Sequence, residues 1–468
     1  MSTFSGLNTA ASGLAAARRA MDIVGQNIAN QNTEGYTRQR VTTESVAAVA
    51  QSGRFSLGAV PGQGVAVTGI ARLSDALLDA RVRDAVASSG YWSTRAVAVT
   101  TAEAGLAEPT SDGLAARLSA FWAGWQDLAN APDSPAVASV VLDSAAELAG
   151  RLADGYRAVA TQWSDARATV DRTVVQINAA ADRIAELNGS IRTALASGQN
   201  ANELIDQRDL LAQNVARMAG AAATVETDGT LTVRISGNAL VSGSDSRHLV
   251  ASGAATLEDA ERVSLTWEDA SYPLAVTDGE LGGTLAVLAP AEDGGPLAQL
   301  ATGYNAVATA LAQRVNDQHH AGATATGDPG GDFFALAATG PAALGLSVVP
   351  TSSAQLALAT PGGGALDAGN ADALSQLGTA DGSPDALWAE QVLRFGVATA
   401  GDVQRARLAD TASATASGAQ RSVAAVDGDE ETINLVAYQA AYQASARVLS
   451  AIDEALDVLI NKTGIVGR

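Results

Sequence analysis

Near the N-terminus of the chain, apolar side chains return in steps of seven: Leu7, Leu14, Met21 and Ile28, with Ala10, Ala17 and Val24 between them. Near the C-terminus Leu435, Tyr442, Leu449 and Leu456 do the same, interleaved with Tyr438, Ser445, Ile452 and Leu459. Two apolar positions per seven make a narrow stripe along a helix, and such a stripe needs a partner. The spacing predicts a first helix from about Ser5 to Ala29, capped near Ser2 or Thr3 and stopped by the turn formers Asn30, Asn32, Thr33, Glu34 and Gly35. It predicts a last helix over Ile433 to Ile460, opened by Asp429 and about 40 Å long. Alone, both are weak, because helices in water draw their stability from a packed face. Frayed termini that become ordered on assembly are therefore expected, with the named seam residues as the candidate assembly interface.

Between the two seams the pattern is mixed. Tyr36 to Ile70 reads as short strands and loops, through Val41, Val46, Val49 and the stretch Gly58 to Gly69 around Pro61. Helical spacing follows at Leu73, Leu77 and Val82, then at Leu114, Leu118, Phe121, Trp125 and Leu128, breaking at Pro132 and Pro135. Val170, Ile177, Ile184 and Ile191 make the strongest internal row, beside Val174, Ala181 and Leu195, and Glu203 to Met218 is a further helix.

The period then drops to two. Thr224 to Thr227 and Thr230 to Ile235 flank Asp228-Gly229 as a two-residue hairpin, with Leu231, Val233 and Ile235 buried and Thr230, Thr232 and Arg234 wet. Leu240-Val241, Val263 to Trp267, Leu274 to Val276 and Leu285 to Leu288 predict more strands. Helix resumes at Leu297, Leu300, Tyr304, Val307, Leu311 and Val315, and again over Trp388 to Val426. The stretch between reads as loops with few apolar anchors beyond Phe333 and Phe334.

The fold class is thus mainly α with an inserted β module. A terminal coiled-coil domain (1–65 plus 429–468) encloses a long-helix bundle domain (66–220 plus 297–428, with 321–384 as Gly-rich loops and short elements), which encloses a small β domain (221–296). If the terminal helices meet, the chain is an elongated rod with its N- and C-termini together.

Composition narrows the function. With 468 residues, 47% hydrophobic but only 4% aromatic, the chain favours long helices packed through small side chains. A net charge of −21 repels nucleic-acid backbones and anionic membranes, and no run is long enough to span a bilayer. The absence of cysteine excludes disulfides, thiolate nucleophiles and Cys-based metal sites. No cleaved secretory signal is read at the N-terminus.

Catalytic and cofactor motifs are missing from the sequence: there is no Gly-x-Ser-x-Gly and no phosphate-binding loop. His248, His319 and His320 read as solvent-facing or capping residues, the last two at a helix end. Asp427, Asp429, Glu430 and Glu431 lack the glycine and alternating ligands of a calcium loop, and suit a helix N-terminus. Trp122, Trp125 and Trp163 have core spacing, and Gly62-Gln63-Gly64 reads as a turn. The expectation is no enzyme, no cofactor and no metal.

Gly6-Leu7-Asn8-Thr9-Ala10-Ala11-Ser12-Gly13-Leu14, with Asn27-Ile28-Ala29-Asn30-Gln31-Asn32-Thr33-Glu34-Gly35-Tyr36, resembles the N-terminal signature of the bacterial flagellar rod, hook and hook-associated axial superfamily. Asn434-Leu435-Val436-Ala437-Tyr438-Gln439-Ala440-Ala441-Tyr442 through Arg447 is similar to its C-terminal signature. Within the superfamily, Ile177-Asn178, Ile184 to Ile191, Leu204-Ile205-Asp206-Gln207-Arg208-Asp209 and Val315 to Gly322 resemble the hook-associated protein 1 family. One departure is Val426-Asp427-Gly428-Asp429, where the family usually carries Val-Asn-Leu-Asp; Gly428 removes an apolar contact just before the last helix.

The resemblance implies a structural, extracellular flagellar protein at the hook–filament junction, polymerised through its terminal helices. It implies export by the type III apparatus without a cleaved signal peptide. The implied partners are a ring of identical subunits, the hook protein, the second junction protein and an export chaperone on the C-terminal region, with no nucleic acid and no membrane. Two alternatives stay open at this point. One is another axial protein, such as the hook or second junction protein; the other is a secreted stalked adhesin or enzyme with a pocket in the β module.

Overall fold

The computed structural model describes residues 3–47, 62–259 and 261–462. Ser2, Val49 and the segment Gly58 to Pro61, to which the sequence assigns a cap and extended chain, lie outside the described residues. Helix α1 (Thr3–Ala29) leads into the antiparallel hairpin of β1 (Gln39–Ser45) and β2 (Val65–Arg72), with Gln39 opposite Arg72. Four helices follow: α2 (Ala76–Leu106), α3 (Leu114–Asn130), α4 (Pro135–Ala196) and α5 (Asn202–Ala219).

Helix α4 is one continuous element of 62 residues, longer than the internal row of apolar positions suggests. Pro135 starts it rather than only ending what precedes. Ser134 caps the helix by accepting from Val137 N–H at 3.4 Å, and a proline in the first turn forfeits an N–H that has no intrahelical acceptor. Against α4, helix α3 places Leu114, Leu118, Phe121, Trp125 and Leu128, all fully buried. Phe121, Trp125, Phe333 and Phe334 form one ring cluster, with centroids 5.3–6.3 Å apart between Trp125 and Phe333 and between Phe121 and Trp125.

The strands follow: β3 (Ala222–Val225), β4 (Leu231–Ile235), β5 (Asn238–Ser242) and β6 (Asp245–Ser246) in one antiparallel sheet, then β7 (Leu249–Ser252), β8 (Ser264–Trp267) and β9 (Ala270–Leu274) in another. The first hairpin turns through three residues, not two. Glu226 N–H bonds Thr230 O, Gly229 N–H bonds Glu226 O, and Gly229 has φ 83°, a type I turn closed by a left-handed glycine. The face expected to be wet is partly covered: Thr230 and Thr232 are buried, their hydroxyls bonded to Asp228 and Glu226.

Leu285 to Leu288, expected as a strand, instead ends helix α6 (Gly279–Val287). Asp278 caps this helix, and Gly283 lies so close to Tyr91 O of α2 that a Cβ would come within 2.5 Å. Tertiary packing overrides an apolar run that reads as strand.

The short sheets have no separate core; their buried residues continue the core of the bundle, as four- and five-residue strands need a helix to lean on. Two asparagines of α4 hold them. Asn188 donates to Leu231 O and accepts from Leu231 N–H at 2.8 and 2.9 Å; Asn178 does the same with Leu249 at 2.9 and 2.8 Å.

Helix α7 (Pro296–His320) returns to the bundle, and α10 (Pro384–Ala424) runs antiparallel to α2, with Arg95 Nε 2.6 Å from Asp402. Between them lie β10 (Phe334–Ala335), α8 (Ala342–Gly345), β11 (Ser347–Val348) and α9 (Gly369–Ser375). This stretch has more anchors than its composition suggests: Ala343, Leu356, Ala357, Ala371 and Leu374 are fully buried beside Phe333 and Phe334.

His319 is also a correction, being buried rather than solvent-facing. Its Nδ1–H donates to Gly331 O at 2.6 Å, and its Nε2 accepts from Ala357 N–H at 3.0 Å, so the imidazole stitches the returning segment to α7. His320 is the exposed one, 3.0 Å from Asp332. The last helix is α11 (Gly428–Asp457), followed by a π-helical turn over Val458–Lys462.

Candidate assembly interface

Helices α1 and α11 pair with each other, antiparallel, within one chain. A Cβ on Gly6 would stand 3.1 Å from Ile452 Cδ1, and one on Gly13 3.1 Å from Ser445 Oγ. Asn27 hydrogen-bonds Glu431 at 3.1 Å. Each step of seven or fourteen along α1 is matched by an equal step back along α11, so one register holds over the whole length.

The seam is rotated from the one drawn on the sequence. Ala10, Ala17 and Val24 are buried as expected of seam residues, but the second row is Gly6, Gly13, Ala20 and Asn27. Leu7, Leu14 and Met21 sit half-buried on its flank, and Ile28 is 38% exposed. On α11, Leu435, Tyr438, Tyr442, Ser445, Leu449, Ile452 and Leu456 are half-buried, while Leu459 is 55% exposed in the terminal turn. Small residues at the centre let the backbones approach, which pushes the larger row outward. Glu431 is the one fully buried residue of α11 among those described.

Seven-residue spacing misses the polar knot at the base of this pair. Asn27, 1% exposed, uses its whole amide: Nδ2 donates to Gln39 O and Glu431, while Oδ1 accepts from Tyr36 OH at 2.9 Å and Gln39 N–H at 3.0 Å. Arg38 donates from Nε to Glu431 at 2.7 Å and grips Glu430 at 2.8 Å, and its own N–H bonds Ala424 O at the end of α10. Asp427, not Asp429, caps α11, accepting from Asp429 and Glu430 N–H.

The knot continues into α5. Asp206 accepts from Thr37 N–H at 3.1 Å and from Arg72 Nε at 2.8 Å, and Arg72 also reaches Asp209 at 3.1 Å. Arg208, buried, donates to Asp209 and to Gly229 O in the first β hairpin. Gln39 accepts from Asn202 at 3.0 Å. Terminal helices, β1–β2 hairpin, α5 and the β3–β4 turn are thus joined by one chain of polar contacts. The signal available in sequence was the cluster of hydrogen-bonding residues inside the two terminal signatures and Asp206-Gln207-Arg208-Asp209.

Charge states follow from burial and pairing. The Tyr36 hydroxyl is pushed up to about 12 by burial and by the carboxylates of Asp206, Glu203 and Glu431, so it stays a donor. Burial raises Asp206 above the ordinary carboxylate range against the pull of Arg72 and Thr37. Glu430 is held low by the Arg38 guanidinium, whose own pKa rises chiefly through its hydrogen bond to Glu430.

No group of His, Asp or Glu among the described residues could hold a metal ion, and no described helix is long and apolar enough to cross a membrane. The arrangement commits its carboxylates to arginines, amides and backbone N–H groups and so holds the helices in register.

Comparison with known proteins fits this geometry. Residues 99–334, half of the chain, match the family described as the flagellar hook-associated protein FlgK helical domain. Residues 7–37 match the flagella basal body rod protein family, and 420–462 the flagellar basal body rod FlgEFG protein C-terminal family. These two short matches fall on α1 with its turn and on α11.

The flagellar hook-associated protein 1 of Bacillus subtilis strain 168 is 28% identical over 507 aligned positions that cover the whole of both chains. That of Escherichia coli K12 is 30% identical over 70% of this chain and 60% of its own length. A solved structure of the flagellar hook junction protein FlgK from Burkholderia pseudomallei shares the fold, with a TM-score of 0.63 at 16% identity, over 73% of this chain and 99% of the other. The chain belongs to the flagellar hook-associated protein 1 family, a family of structural axial proteins of the flagellum rather than enzymes.

Proposed function

We propose that this chain forms the junction between hook and filament, with its terminal helices acting as the polymerising unit in a coiled coil shared between subunits. The observation that carries this reading is the rotated seam. Pairing α1 with α11 uses the small residues and leaves apolar side chains facing outward: Ile28, Ile433, Val436 and Val448 are 38, 69, 61 and 50% exposed. Single exposed apolar residues are ordinary, but Ile433, Val436 and Val448 together on α11, with Ile28 on its partner helix, support an interaction surface.

In this reading the domains are nested as 1–65 plus 429–468, 66–220 plus 297–428, and 221–296. The rod has both termini at the inner end, and neighbouring subunits of a ring cover the outward side chains. The hook protein lies on one side and the second junction protein on the other. An export chaperone covers the C-terminal helix before secretion, and the chain leaves the cell through the type III route with no signal peptide removed.

The experiment is deletion of residues 3–29 and 428–462 together, expressed in cells lacking the native junction protein. The expected result is intact hooks, no junction and filament subunits shed into the medium. Incorporation of the shortened chain into hooks, with filament growth, would overturn the proposal.

A further inference from the structure

Helix α1 carries three charges, Arg18, Arg19 and Asp22, all exposed. On the later part of α11 stand Arg447, Asp453 and Glu454, also exposed. Among the described residues, none of these six forms an ion pair or side-chain hydrogen bond within the chain, although sixteen arginine–carboxylate pairs occur elsewhere.

The in-chain register explains why. With Gly6 beside Ile452 and Gly13 beside Ser445, Arg18 and Arg19 lie level with Ala440 and Gln439, and Asp453 and Glu454 lie level with Ser5 and Phe4. At 1.5 Å per residue the basic pair and the acidic pair are about 20 Å apart along the axis. Asp22 and Arg447 are displaced in the same direction by about 16 Å. No side chain spans that distance.

We propose that Arg18 and Arg19 of one subunit pair with Asp453 and Glu454 of a second copy of this chain, displaced along the helix axis by roughly 16–20 Å. This rests on the reading above that the terminal helices assemble. The same displacement sets Asp22 of the first copy against Arg447 of the second, so one stagger satisfies all three charges of α1. Covering these helices with a neighbour removes water from the arginines, and a desolvated cation without a carboxylate is costly. This step meets all three charges of α1 with opposite charges, whereas a step of about 10 Å sets Arg447 against Arg18, and charge contrast of this kind selects register in coiled coils. The seam alone, rich in alanine and half-buried, specifies sliding poorly.

Two variants of the full chain, produced in flagellated cells, test this. Arg18→Glu with Arg19→Glu is expected to be secreted normally but to enter junctions about tenfold less or worse. Adding Asp453→Arg with Glu454→Arg is expected to restore entry. Normal entry of the first variant, or no recovery in the second despite secretion, overturns the stagger.

The absence of cysteine in the native sequence gives an independent measurement. Arg19→Cys with Asp453→Cys, oxidised on isolated junctions, is expected to yield linked multimers. Gly13→Cys with Ser445→Cys, whose Cβ atoms would be 4.0 Å apart in one chain, yields only an internal bond. Junctions that contain the first cysteine pair but release only monomers overturn the stagger and leave terminal-helix assembly standing. Incorporation of the chain without terminal helices overturns both.

Discussion

In the bundle, Leu114, Leu118, Phe121, Trp125, Phe333 and Trp388 are buried to 1% exposure or less. In the terminal pair the buried set is Ala10, Ala17, Ala20, Ile23, Val24 and the polar residues Asn27 and Glu431. The first region is closed by aromatic volume. The second meets through small side chains and is located by hydrogen bonds at one end. The bundle does expose apolar side chains of its own, Leu77, Leu393 and Leu408 at 77, 69 and 61%, but its core aromatic rings are enclosed. On α1 the small residues are buried together with Ile23 and Val24, while Leu7, Leu14 and Met21 stay half-buried and Ile28 is exposed. The proposed division of labour is stability in the bundle and assembly at the terminal pair.

The sharpest way to break this comparison is to remove one large side chain from each region. Phe121→Ala, which empties a ring cluster shared with Trp122, Trp125, Phe333 and Phe334, is expected to cost about 3–5 kcal/mol in urea unfolding of the monomer. Leu449→Ala, at a half-buried seam position, is expected to cost under about 1 kcal/mol while reducing incorporation into junctions. Equal losses of monomer stability would show that the terminal pair is as much a folded core as the bundle.

The polar knot supplies the next effect. Glu431→Ala strips Asn27 of an acceptor and leaves Arg38 with Glu430 alone, a buried polar deficit of about 2 kcal/mol. The loss is expected to be local: hydrogen exchange should accelerate in α1 and in the first turns of α11, while amides of α3 and α4 keep their protection. Uniform acceleration across the bundle would mean that the knot supports the whole fold rather than the terminal pair.

How much of this was written in the sequence depends on which force decides. Helix positions in the bundle were legible because core burial imposes a period, as in Leu114 to Leu128 and Val170 to Ile191. The existence of the terminal seams was legible for the same reason. Their rotation was not: hydropathy ranks Leu7 and Leu14 above Gly6 and Gly13, whereas close helix approach selects the small residues.

The asparagines were legible as a resemblance but not as a mechanism. Asn178 and Asn188, and likewise Asn316 with Phe333 and Phe334, present an amide that copies a strand edge to a backbone distant in sequence. The helix over Gly279–Val287 and the anchored stretch after His320 were missed because contacts to α2 and α7, not local pattern, determine them.

His319 turns that last miss into the smallest of the three effects, and one that belongs to the bundle side of the comparison. Its ring is neutral where it sits: Nδ1–H is committed to Gly331 O and the bare Nε2 to Ala357 N–H. Burial depresses its pKa below the ordinary histidine value, helped by His320 and opposed by the Gly331 carbonyl and Asp332. A second proton would set Nε2–H against Ala357 N–H. Because the folded value lies below the unfolded one, the neutral ring's contribution is complete above about pH 6.5 and is lost as pH falls through the folded value, at no more than about 1.4 kcal/mol per pH unit. Between pH 7.5 and 5.5 the urea midpoint of the native chain is expected to fall more than that of His319→Gln, with faster exchange at Ala357 N–H in acid. Parallel pH dependence in the two proteins would remove His319 as the acid-sensitive stitch.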